Sequence, residues 1–193
     1  MLNVVNLEEI QRLLLRMPAL IHALAERQLN LIGSVKTWLM DGEQIFVNNR
    51  LPVAAELAAL RGVLISAERG VIPQGMAFSS RTTARKVKEA TAADVLRRAS
   101  ELIIQATAAD VARVAEGQKL MRQILAAAQR KGLSQVPAHS AYTHSDMLKA
   151  IWRAMAEDPD LGGGASRLEG LVGNNDALVL LDRMLPSEPG YGP

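Results

Sequence analysis

The fold turns on residues 82–131, TTARKVKEATAADVLRRASELIIQATAADVARVAEGQKLMRQILAAAQRK. The stretch holds no proline and a single glycine, Gly117. Leu96, Ala99, Ile103, Thr107, Asp110, Val114, Gln118, Met121, Leu125 and Ala128 recur every three or four residues, the period of one helix face. Ala, Leu, Glu, Lys, Gln and Arg dominate it, and these are the strong helix formers. The pattern predicts one helix of about 50 residues, roughly 75 Å long at 1.5 Å per residue. An internal repeat supplies an alternative. Ala90-Thr-Ala-Ala-Asp-Val95 recurs as Ala106-Thr-Ala-Ala-Asp-Val111. The offset turns the motif by about 160° on a continuous helix, so both copies cannot face one partner. Thr-x-x-Asp is also an N-cap pattern, and a break near Gln105 would give a helical hairpin.

Helical patterning extends on both sides. Leu7, Ile10, Leu14, Met17, Ile21, Leu24 and Ala25 form an apolar stripe, with Asn6 and Glu9 as an N-cap signature and Pro18 as a point of restart. Residues 31–50 read two ways. Asp41-Gly42 between alternating segments is a hairpin signal, yet Leu29, Ile32, Lys36, Leu39, Gly42 and Phe46 share one helical face. An isolated hairpin in a helical chain is marginal, so helix is expected. Pro52 should open a helix that buries Ala55, Leu57, Leu60, Leu64 and Ala67 and stops at Gly70. Thr143 and Asp146 should cap a helix with Met147, Leu148, Ile151, Trp152 and Met155. Asp158-Pro159 should end it, Gly162–Gly164 should form a flexible turn, and a last helix should span Leu168 to Leu185. The expected class is all-α, a helical bundle with a long central helix or helical hairpin at 82–131. Its expected organisation is a helical domain at 1–132, a C-terminal helical pair at 133–185 and a disordered tail at 186–193.

Composition agrees with that class and excludes several kinds of function. Only two Trp, two Tyr and two Phe occur in 193 residues, so the core must be built from Ala, Leu, Val, Ile and Met, which suit close helix packing better than a sheet. No cysteine is present, which removes disulfides, thiolate zinc sites and a cysteine nucleophile. Glu8 and Glu9 follow the first residues where a signal peptide would be positive and then uninterruptedly apolar. No run approaches the roughly 18 apolar residues of a membrane span. A cytoplasmic protein with no membrane association is expected.

The net charge of +2 hides an asymmetry. Residues 81–132 carry 11 Lys and Arg against 5 Asp and Glu, while residues 133–193 carry 4 against 8. Arg81, Arg85, Lys86, Lys88, Arg97 and Arg98 form the basic face, and clustered cations are the electrostatic footprint of an anionic partner. Arg81, Arg85 and Lys88 are expected to meet an acidic surface, supplied or contested by the C-terminal region. The segment 81–98 has no aromatic residue for base stacking, and no glycine turn of a helix-turn-helix.

Chemistry-bearing residue types gather once, at His139, Ser140, His144, Ser145 and Asp146. The sharp reading is a metal site or a hydrolase between His139 and Asp146. The plain one is a helix start, since triads assemble across a fold and sequence adjacency does not signal one. Gly162–Gly164 lacks the Gly-Lys-Ser/Thr ending of a phosphate loop. No catalytic residue, no metal ligand and no cofactor is assigned, and no enzyme is expected. The leading expectation is a structural or adaptor subunit that acts by homo-oligomerisation, in coiled-coil fashion, or through a protein partner. A long Ala-rich helix needs something to cover its stripe, and Leu96, Ile103, Val114, Met121 and Leu125 would form the oligomer interface. The alternative is a nucleic-acid-associated subunit using 81–98.

Overall fold

A computed structural model describes residues 1–28, 30–72, 83–133 and 143–185. Among them are eight helices and no strand: α1 (Val4–Leu15), α2 (Met17–Ala25), α3 (Leu31–Asn48), α4 (Val53–Glu68), α5 (Ala84–Arg130), α6 (His144–Glu157), α7 (Gly162–Val172) and α8 (Asn174–Met184). The protein is all-α, and its long element is one continuous helix of 47 residues. The hairpin alternative is excluded. Two compact units are present: Leu2 and Val4–Ala108 belong to one, and the chain from Ala109 onward to the other. The division lies inside α5, whose second half packs with the C-terminal helices.

In the first unit α3 packs against α1, α2 and α4. Val35, Trp38, Leu39, Gly42 and Phe46 are buried, a three-four spacing that resolves the ambiguous segment as helix. A strand would have sent the neighbours Trp38 and Leu39 to opposite faces, whereas both are wholly buried. The Trp38 indole donates to the carbonyl of Leu13 at 2.8 Å, so its one polar group is satisfied in the core. Pro18 stands in the first turn of α2, the restart expected of it. Asn6 is not a cap. Leu2 and Val4 are buried and carry the apolar stripe a turn upstream, so α1 already includes Asn6, whose side chain donates to that of Asn49. In α4, Val53 is buried with Leu57, Leu60, Leu64 and Ala67, while Ala55 is exposed.

The second unit combines the end of α5 with three helices, where the sequence suggested a pair. Gly162–Gly164 is no flexible turn; it forms the first turn of α7. The Asp158 carboxylate accepts from the backbone N–H of Asp160 at 3.0 Å and of Leu161 at 3.1 Å. These bonds fix the turn that leads from α6 into α7. The expected single helix from Leu168 is broken at Gly173, whose φ of +87° suits glycine and strains other residues. Gly117 lets α5 come close to α7 and α8. A Cβ there would stand 2.6 Å from Val172 Cγ1 and 3.5 Å from side-chain carbons of Leu168 and Leu180. The tail expected at 186–193 lies outside the described residues.

Lys131, just past α5, bonds Asp158 at 2.7 Å and Asp160 at 2.6 Å. The Lys131 ammonium, aided by the two backbone N–H donors, holds the Asp158 carboxyl below its ordinary value. A depressed carboxylate contributes stability above its unfolded pKa and loses it as pH falls through the folded value. The contribution of this contact to the unit's stability should therefore fade as pH falls below about 4, the ordinary aspartate range. Asp158→Asn should flatten that decline in a pH series of thermal melts. An unchanged acid limb would show that the contact adds nothing.

Candidate interaction surfaces on the long helix

One side of α5 is closed by the chain itself. Leu96, Ile103, Val114, Met121 and Leu125, the residues expected at an oligomer interface, are all buried within the single chain, and Ile103 and Met121 completely so. Helices of each unit cover their own half of the stripe, so its burial requires no second copy. The repeated hexapeptide acquires a local meaning here. Thr91 and Thr107 are buried and donate their hydroxyls to the carbonyls of Val87 and Ile103, each at 2.8 Å. Asp94 pairs with Arg97 at 2.9 Å, and Asp110 with Arg113 at 3.0 Å. Both motifs place a threonine in the core and an ion pair beside it. Neither caps a helix.

The basic face is largely met by carboxylates of α5 itself. Arg85 pairs with Glu89 at 2.7 Å and donates to the carbonyl of Arg27 at 2.8 Å. Arg97 holds both Asp94 and Glu101 at 2.9 Å, and Arg98 reaches Asp94 at 3.6 Å. Asp94 and Glu101 together hold the Arg97 proton more tightly than usual. These partners come from within the helix and from the first unit. Lys86 is exposed and Lys88 half-buried. Arg81 lies outside the described residues. Exposed pairs of this kind contribute about 0 to 1 kcal/mol each, so they shape the surface field more than the stability.

At the start of α6, Thr143 accepts from the Asp146 N–H at 3.2 Å and donates to its carboxylate at 2.6 Å. That hydroxyl lowers the Asp146 pKa. His144 Nε2 lies 2.6 Å from Asp182 Oδ1, tying α6 to α8. Thr143 and Asp146 are therefore cap residues, the plain reading of the segment, whereas His139 and Ser140 lie outside the described residues. Among the described residues, no three His, Asp or Glu side chains converge as a metal site. A shallow open hollow of about 300 Å³ is lined by Arg16, Leu20, Asn30, Gly33, Ser34 and Thr37. Three of its polar side chains are already engaged: Arg16 with Asp41 at 2.5 Å, and the hydroxyls of Ser34 and Thr37 with carbonyls one turn back.

The chain matches no protein-family model, no curated protein and no solved structure. Only its own geometry bears on function. No described helix is long and apolar enough to cross a membrane.

The other side of α5 is open. Ile104 is 56% exposed and Val111 40%, with Ala108 and Ala115 exposed beside them. At 100° per residue these four lie within about 60° of one another, roughly 100° from the buried stripe. Their spacing of four, three, four is that of a coiled-coil seam. The sequence reading followed the stronger stripe and passed over this one, although its signal, two β-branched residues seven apart with alanines between, is plain in the sequence.

Proposed function

We propose that this chain is a non-enzymatic structural or adaptor subunit that acts through self-association or a protein partner, using the outward face of α5. The observation that carries this reading is the exposed seam Ile104–Ala108–Val111–Ala115, since solvent-facing helix positions are ordinarily polar. A nucleic-acid role draws on the same helix, but Arg85, Arg97 and Arg98 already have carboxylate partners. What remains for phosphates in the described part of 81–98 is chiefly Lys86 and Lys88.

Light scattering coupled to size exclusion, with and without DNA or RNA, separates the two. Self-association should raise the mass above 20.9 kDa as concentration rises, and nucleic acid should change nothing. Complex formation with nucleic acid that weakens steeply with salt would replace the leading reading by the other.

A further inference from the structure

We infer that the second half of α5 is a docking strip for an acidic helix of a partner protein, held through Lys119, Arg122 and Arg130. The inference rests on the protein-partner reading and names that partner's chemistry. Residues 117–131 include Lys119, Arg122, Arg130 and Lys131 and no Asp or Glu. Lys131 is taken up by Asp158 and Asp160. The other three are exposed and take part in no ion pair among the described residues. Earlier on α5, Arg85, Arg97, Arg98 and Arg113 each have a carboxylate three or four residues away. The arginines of the first stretch are thus neutralised by their own helix, and the cations of the last stretch are not.

Ala115, Lys119, Arg122, Ala126 and Arg130 are all exposed and all belong to the second unit. At 100° per residue they lie within about 80° of one another, roughly 150° from the buried Met121 and Ala128. The strip therefore points away from the core, and it is about 22 Å long at 1.5 Å per residue. Its complement is a helix with carboxylates on one side. Acidic residues three or four apart share a helix face, which matches the spacing of Lys119 and Arg122. Arg122 and Arg130 carry planar forks that suit carboxylates, and Arg130 gives only its Nε to the carbonyl of Ala126, at 3.3 Å. The alanines between the cations let a helix come close. No large apolar or aromatic side chain stands on the strip to enter a bilayer or to stack on a base. A second copy does not supply the acidic row. Among the described residues, the carboxylates in no hydrogen bond or ion pair are Glu9, Glu26, Glu56 and Glu157, which stand on or beside four different helices. Docking through three exposed charges is weak and sensitive to salt.

The probe is a labelled Ala–Glu helical peptide with its glutamates on one face, titrated with the full chain at low salt and followed by fluorescence anisotropy. A peptide of the same composition with glutamates spread round the helix, duplex DNA, and phosphatidylserine–phosphatidylcholine vesicles are the comparisons. The one-faced peptide should bind about tenfold tighter than the spread one, and lose that binding as salt approaches about 0.3 M. The triple variant Lys119→Gln, Arg122→Gln, Arg130→Gln keeps good helix formers at exposed sites, so its thermal melt should match the wild type. It should bind the one-faced peptide at least about tenfold more weakly. Lys86→Gln, Lys88→Gln should bind like the wild type. Three results would each overturn the inference: equal binding of the two peptides, equal binding by the triple variant, or tighter binding of DNA or vesicles than of the one-faced peptide. Light scattering of the protein alone reads self-association separately. A mass that rises with concentration beside any of these three results leaves the self-association reading standing and this docking strip refuted.

Discussion

Ile103→Asp should unfold the first unit, while Ile104→Asp, one residue further along α5, should leave it folded. Ile103 is wholly buried, whereas Ile104 is 56% exposed. The first substitution removes packed apolar atoms, a loss of about 2 to 5 kcal/mol. It also buries a carboxylate with no partner, at several kcal/mol more. A domain held by roughly 5 to 15 kcal/mol does not withstand that sum. Leu125→Asp should do the same to the second unit, where Leu125 is buried. Far-UV circular dichroism with thermal melts reads the outcome. A folded, monomeric Ile103→Asp protein would contradict the burial described here and would place Ile103 at an interface between copies.

Trp38→Ala should destabilise the first unit by about 3 to 5 kcal/mol, the usual range for emptying a buried aromatic site. Trp38 is the largest fully buried side chain in the protein, and α3 carries it into a core that also holds α1 through the indole bond to Leu13. Trp38→Phe keeps most of the volume and loses that bond, so it should cost nearer 1 kcal/mol plus a small packing defect. Urea denaturation of the three proteins gives the comparison. Equal midpoints for the wild type and Trp38→Ala would mean that α3 is not central to this core.

Helix content was legible wherever spacing was regular. The long helix followed from fifty residues without proline, and the threonine cap of α6 from Thr143 and Asp146. Segment 35–47 was ambiguous because Asp41-Gly42 is a local turn signal, which the burial of Trp38, Leu39 and Phe46 on one face overrode. Gly162–Gly164 misled because glycine is a poor helix former in isolation. Here Asp158 fixes the turn that leads into the helix by accepting from the N–H groups of Asp160 and Leu161, and Gly164 allows close approach to Ile124, whose Cγ1 would lie 3.3 Å from an added Cβ. The residues expected at an oligomer interface are a related case. Periodicity reports that Leu96, Ile103 and Met121 are covered, but whether the cover is the same chain or another is a tertiary fact. The exposed seam could have been found by asking which apolar positions remain once the main stripe is assigned.

That the outward seam of α5 joins this chain to another is tested most directly by the double variant Ile104→Asp, Val111→Asp. Its mass and that of the wild type are followed by light scattering over a concentration series, beside thermal melts of both. The account predicts that wild-type mass rises above the 20.9 kDa monomer, and that the variant stays at the monomer mass with an unchanged melt. A wild type fixed at the monomer mass without any partner, or a variant that associates just as the wild type does, would contradict it.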